Sequence, residues 1–101
     1  MATYVVLARY TTEGIKGIKD RVARPGGSAA AFRRLGESLG VQVQASYSTL
    51  GQYDSVAIVE APNDEAVIKT AVALGMTGVF TTETLRAFPT EDFEKLVAEL
   101  P

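Results

Sequence analysis

The side chains with the most chemical capacity in this chain sit at two places. Tyr53-Asp54 falls where a hairpin returns to a strand, and a carboxylate beside a phenol can orient a water or accept a proton in a semi-buried cleft. A structural alternative has Gly51 permit the turn, Tyr53 pack, and Asp54 bond backbone amides, as turn aspartates do. Further on, Thr82, Thr84 and Arg86 alternate along the chain, so on a strand they share one face while Glu83 takes the other. Hydroxyls with a guanidinium are suitable donors for a carboxylate or an enolate. Tyr10, Tyr47 and Arg9 are expected near them in the sheet, together lining a pocket between sheet and helices. The competing explanation is a ladder of threonines with high strand propensity and an ion pair at the rim.

Composition removes much other chemistry. The chain of 101 residues has neither cysteine nor histidine, which excludes disulfides, Cys/His zinc sites, haem ligation by His and every relay built on a His base or Cys nucleophile. No metal site and no cofactor are expected, and there is no P-loop, G-x-G-x-x-G, G-x-S-x-G or EF-hand loop. Gly14-Ile-Lys-Gly-Ile-Lys lacks the spacing of a nucleotide loop and reads as a turn with exposed lysines. The lack of cysteine and of a basic, apolar leader predicts a cytoplasmic protein, and no apolar run is long enough for a membrane span.

The net charge of −2 hides an asymmetry: residues 9–34 carry seven bases and two acids, net +5, whereas residues 54–101 carry nine acids and three bases, net −6. The basic stretch (Arg9, Lys16, Lys19, Arg21, Arg24, Arg33, Arg34) could attract phosphate or nucleic acid. A solvated loop and helix face accounts for it more simply, and an acidic chain makes a poor nucleic-acid binder, so no nucleic-acid partner is expected.

The elements that must position these residues follow from periodicity. Ala2 to Tyr10 is a strand with apolar residues on both faces, Tyr4, Val6 and Ala8 on one and Val5 and Leu7 on the other. Thr11 to Gly27 is irregular, with Ile15, Ile18 and Val22 at the spacing of a short helical turn. Ser28 is the expected cap of the first full helix, whose stripe is Phe32, Leu35 and Leu39 and whose stop is Gly40. Val41 to Thr49 alternates with Val41, Val43, Ala45 and Tyr47 on one face. A hairpin at Leu50-Gly51-Gln52-Tyr53 leads to a third strand, Asp54 to Ala61. Asn63 caps the second helix, with Val67, Ile68, Ala71 and Leu74 expected to be buried and Gly75 to end it. Gly78 to Phe88 is the fourth strand, and a short helix from Pro89 carries Phe93, Leu96, Val97 and Leu100. At this length one domain, residues 1–101, is expected. The order is α+β: a ferredoxin-like βαββαβ chain with a four-stranded antiparallel sheet and a short C-terminal helix.

The stretch Leu50-Gly51-Gln52-Tyr53-Asp54-Ser55-Val56-Ala57-Ile58-Val59-Glu60-Ala61-Pro62 resembles the signature of the GYD-domain family, with Gln52 inserted so that the motif reads G-x-Y-D. Gly14-Ile15-Lys16, Ile18-Lys19-Asp20 and Thr82-Glu83-Thr84-Leu85-Arg86-Ala87-Phe88 extend the resemblance over nearly the whole chain. The segment from Arg21 to Gly27 departs from it, being several residues longer than the family's usual link into the first helix. The resemblance implies a ferredoxin-like fold of the dimeric α/β-barrel group, found in small bacterial and archaeal proteins without an assigned activity. A homodimer or higher homo-oligomer has support from the residues too: the sheet has two apolar faces and two principal helices cover one. A monomer with the C-terminal helix folded back as a lid is the alternative.

Two function classes follow. One is a homo-oligomer that binds a small anionic or aromatic ligand or acts as an assembly module, with Tyr10, Tyr47, Tyr53, Asp54, Thr82, Thr84 and Arg86 as candidate ligand-binding residues. The other is a cofactor-independent enzyme of the oxygenase or isomerase type found on related barrels, in which Asp54 or Glu83 would have to act as base.

Overall fold

The structure, a computed structural model, describes residues 1–101. The elements are β1 (Ala2–Tyr10), α1 (Thr12–Lys16), α2 (Ile18–Ala23), α3 (Gly27–Ser38), β2 (Gln42–Ser48), β3 (Ser55–Ala61), α4 (Asp64–Met76), β4 (Phe80–Ala87) and α5 (Thr90–Ala98). The strands form one antiparallel sheet in the order β2-β3-β1-β4, the ferredoxin-like arrangement. β1 and β3 occupy the centre because their β-branched runs supply apolar residues to both faces.

One face of the sheet meets α3 and α4. There Tyr4, Val6, Ala57, Val59 and Ala61 pack against Val41, Ala66 and Val67, with Phe32 and Val43 at the margin. Val59 is 1% exposed, and burying such a side chain contributes about 1.5–3 kcal/mol. Asn63 caps α4 by accepting the Ala66 N–H at 3.0 Å, which secures the helix start where Asp64 and Glu65 also favour the helix dipole.

Four local expectations are corrected. α3 starts at Gly27, one residue ahead of the expected Ser28 cap, because Gly26 takes a left-handed φ of 81° and turns the chain into the helix without a side-chain cap. Gly75 lies inside α4, which ends after Met76, and Gly78 carries the positive φ of 76°. Ile68 is 60% exposed, while Ala66 and Thr70 face the core; the buried stripe is rotated by part of a turn, and the Thr70 hydroxyl is satisfied by donating to the Ala66 carbonyl at 2.9 Å. Most consequential is a β-bulge in β2. Val43 pairs with Val59 but Ala45 pairs with Ile58, so Gln44 is the extra residue. One inserted residue reverses the facing of all that follow. Ala45 and Tyr47 therefore leave the helix face, and Ser46 and Ser48 enter it.

The other face carries Val5, Leu7, Val56, Ile58, Leu85 and Tyr47, as the strand registers require. No element covers it. α5 does not fold back as a lid: it has no buried residue, and Phe93 and Leu96 are 59% and 54% exposed. The radius of gyration, 15.1 Å, exceeds the value of about 13 Å typical of a compact chain of this length.

Candidate functional site

Between the helix face of the sheet and the segment α2–α3 lies a cavity of about 520 Å³, well within the size of small-molecule sites. Its floor continues from the edge of the main core, where Val6, Ala8, Ala57 and Phe80 point toward the helices. Phe32, Leu35 and Leu74 form apolar walls, and the bulge places Ser46 and Ser48 along one side. The polar lining is of one sign: Arg21, Arg24 and Arg34 border the cavity and no Asp or Glu does. In a chain of net charge −2 this is a local positive field with low-dielectric walls, which concentrates anions.

Each arginine is delivered by the segment between β1 and α3 or by α3 itself. Thr11 caps α1 by accepting the Gly14 N–H at 2.9 Å, and its own N–H donates to the Val79 carbonyl at 2.9 Å. Gly14 sits so close to β4 that a Cβ there would lie 2.1 Å from the Val79 oxygen. This contact anchors α1, and α2 follows directly after Gly17. From α2 the Arg21 side chain reaches back to donate through Nη2 to the Gly14 carbonyl, with its guanidinium 5.9 Å from the centre of the Tyr10 ring. Tyr10 in turn stacks at a tilt on Phe80, 5.0 Å between centroids. The Arg21 Nε is buried and has no hydrogen-bond partner.

The residues singled out from sequence separate into three places. Tyr10 lines the cavity. Tyr47 borders it, but its register pairing with Val56 puts it on the open face, where it is 63% exposed. Tyr53 and Asp54 lie at the hairpin and do not line the cavity. The Asp54 carboxylate accepts the Tyr10 N–H at 2.9 Å, and its own N–H donates to the Ala8 carbonyl at 2.8 Å. The Tyr53 hydroxyl donates to Glu83, and Arg9 lies over its ring at 5.0 Å while donating through Nε to the Gln52 carbonyl at 2.7 Å. The hydrogen bond to Glu83, reinforced by partial desolvation, pushes the Tyr53 phenol above its ordinary pKa. Gly51 permits the turn with a φ of 101°. These contacts tie the hairpin across β1 to β4.

Thr82 and Thr84 share the helix face, as alternation predicts, opposite Ala8 and Val6. Thr84 borders only a small core void beside Val67 and Thr70. Arg86 is opposite Tyr4, six residues and thus about 20 Å along β1 from Tyr10. Its guanidinium packs on Phe88 at 4.3 Å and Tyr4 at 5.4 Å and donates to the Thr3 carbonyl at 3.1 Å. Beside it the Tyr4 hydroxyl donates to Asp64, which raises the phenol's pKa. The expected single pocket of Arg9, Tyr10, Tyr47, Thr82, Thr84 and Arg86 therefore does not form: of these Tyr10 and Tyr47 border the cavity, Tyr47 from the open face to which the bulge turns it, and strand length removes Arg86. The cavity residues Arg21, Arg24 and Arg34 were noted only as part of the basic stretch over residues 9–34, and Ser28 only as an expected cap.

A four-stranded antiparallel sheet in this order, with its principal helices on one face, defines the ferredoxin-like class of α+β proteins. Within that class the chain belongs to the GYD-domain family, whose family model, described as GYD domain, matches residues 4–97. A Thermus thermophilus protein named "Glutamine synthetase and cystathionine beta-lyase binding protein" is 34% identical over 100 residues, which cover 99% of each chain. The crystal structure of TTHA0845, also from Thermus thermophilus, superposes with a TM-score of 0.54 at 32% identity, covering 88% of this chain and 95% of that one. A hypothetical protein from Pyrococcus horikoshii, PHS023, gives a TM-score of 0.49 at 17% identity, over 88% of this chain and 92% of its own.

Proposed function

We propose that the protein is a non-catalytic assembly module of the cytoplasm, which pairs with a second copy through its open sheet face and, as a pair, binds other proteins. The observation that carries this reading is the protomer's excess surface. A folded monomer of this mass exposes about 5,500 Å², and this one exposes 6837 Å². The excess of about 1,300 Å² is more than the roughly 800 Å² each partner buries in a standard interface. The uncovered face of Val5, Leu7, Ile58 and Leu85 and the apolar side of α5 contribute to it. A two-fold pairing of sheet on sheet makes the face self-complementary. The name of the Thermus relative supports the second part of the reading, that the assembled module engages enzymes.

The enzyme reading has less to work with. Asp54 is engaged by the Tyr10 amide and Glu83 by Tyr53, and neither lines the cavity.

Sedimentation equilibrium tests the pairing. The protein should run at about twice 10.8 kDa, and Leu7→Glu with Leu85→Glu, which place two carboxylates in the buried centre, should return it to the mass of one chain with its far-UV spectrum unchanged. A wild-type chain that sediments as a single copy at high concentration, or a double variant that stays paired, would remove the basis for this assembly.

A further inference from the structure

The positive cavity beneath α2 and α3 lies on the face of the sheet opposite the proposed pairing surface, so its purpose is a separate question. Three observations limit what it can hold. The walls and floor are chiefly aliphatic and aromatic, with Val6, Phe32, Leu74 and Phe80 among them, which favours a ligand with an apolar body. The charge at its border is exclusively cationic, which favours an anion and disfavours an amine. The charges are also unevenly placed: Arg24 and Arg34 are exposed, whereas Arg21 is partly buried. The Arg21 guanidinium borders the cavity and is held in place there by donation through Nη2 to the Gly14 carbonyl, while its Nε is enclosed by protein.

The backbone near Arg21 adds to this. Gly27, Ser28 and Ala29, the first turn of α3, border the same cavity, and α3 has neither a side-chain cap nor an acid in that turn. Its leading N–H groups therefore have no acceptor from a capping side chain, and the positive end of the helix dipole faces the region. The Ser28 hydroxyl supplies a further donor.

We propose that this cavity is a binding site for a small monocarboxylate with an apolar body, its carboxylate at the Arg21 guanidinium and the first turn of α3, and its body along Phe32, Leu74 and Phe80. One inner guanidinium matches one negative charge. Tyr10 lies between Arg21 and Phe80, its ring 5.9 Å from the Arg21 guanidinium and packed at a tilt on Phe80. The pocket is built by the long Arg21–Gly27 segment and by the bulge at Gln44, which together open the space and turn Ser46 and Ser48 into its wall.

Isothermal titration calorimetry on the full chain tests the assignment with octanoate and 2-naphthoate as probes, against octan-1-ol and 2-naphthol, which have similar bodies without the charge. The acids should bind at least about ten-fold more tightly than the alcohols. Arg21→Met, which keeps much of the stem, should weaken the acids by about ten-fold or more and leave the alcohols unchanged. Ser46→Phe, which fills the cavity from the exposed β2 edge and leaves Arg21 intact, should abolish binding of all four; it carries the test if the Arg21 variant does not fold. No binding of any probe at millimolar concentration, equal binding of acid and alcohol, acid affinity unchanged in folded Arg21→Met, or retention of binding in folded Ser46→Phe would each overturn the proposal. Tighter binding of octyl phosphate than of octanoate would overturn its assignment to a monocarboxylate.

Discussion

Two phenol–carboxylate hydrogen bonds, Tyr4 to Asp64 and Tyr53 to Glu83, join distant parts of the chain. In each, the hydrogen bond is the leading cause that raises the phenol above the ordinary tyrosine range. The folded state thus holds these protons more tightly than the unfolded state. Their contribution to stability is complete below the ordinary tyrosine pKa and is lost as pH rises through the elevated folded values. Urea midpoints should therefore decline above about pH 10, and the decline should be shallower in Tyr4→Phe and Tyr53→Phe, which have no proton to lose. An equally steep decline in both variants would show that other groups set the alkaline limit. Asp54 works at the same scale on the backbone. Replacing it with Ala leaves the Tyr10 N–H without its side-chain acceptor, and a loss of about 1–3 kcal/mol in unfolding free energy is expected by denaturant titration. That role was legible from sequence, since an aspartate closing a hairpin ordinarily serves nearby amides. The place of Arg21 at the cavity was not, because nothing in its neighbours distinguishes a guanidinium beside a cavity from one turned into water.

At the scale of elements, what sequence revealed was whatever repeats. β1 and β3 were readable from runs of β-branched residues, and α4 from the Asn63 cap. The events that shape the cavity do not repeat. The bulge at Gln44 leaves the polar-apolar alternation of β2 intact in sequence while reversing its last half in space. The two short helices before α3 arise from a backbone contact rather than from an apolar stripe: Gly14 lies against Val79, and Thr11 bonds the carbonyls of Gly78 and Val79. Gly14→Ala tests that contact. A methyl group 2.1 Å from a carbonyl oxygen forces α1 away from β4, and a loss of about 1–3 kcal/mol or more is expected from overpacking. Because α1 carries α2, the same variant should also weaken octanoate binding. Stability and binding both unchanged would show that the segment is not held in place by Gly14.

At the scale of the whole molecule the proposed pairing bears on the use of α5. Only 13 of 101 residues are buried, and the uncovered apolar sheet face and α5 lie on the surface. The position of α5 allows its two possible uses to be separated. A helix that stabilised its own protomer would bury apolar side chains there, yet none of Phe93, Leu96, Val97 and Leu100 is buried. Its other face is acidic, with Glu91, Asp92 and Glu94 against Lys95, so the helix is amphipathic without a surface of its own chain to use that character on. Ending the chain after Pro89 should therefore leave the fold of the single protomer nearly as stable as before. The same truncation should weaken self-association by about ten-fold or more, equivalent to losing roughly 1.4 kcal/mol of buried apolar contact. The pair of measurements is a denaturant titration of the truncated chain in the Leu7→Glu, Leu85→Glu background, where only single copies are present, and sedimentation of the truncated chain without those changes. A large loss in the first would mean that α5 belongs to its own protomer after all. No change in the second would leave the sheet face alone to hold the pair and free α5 for other proteins.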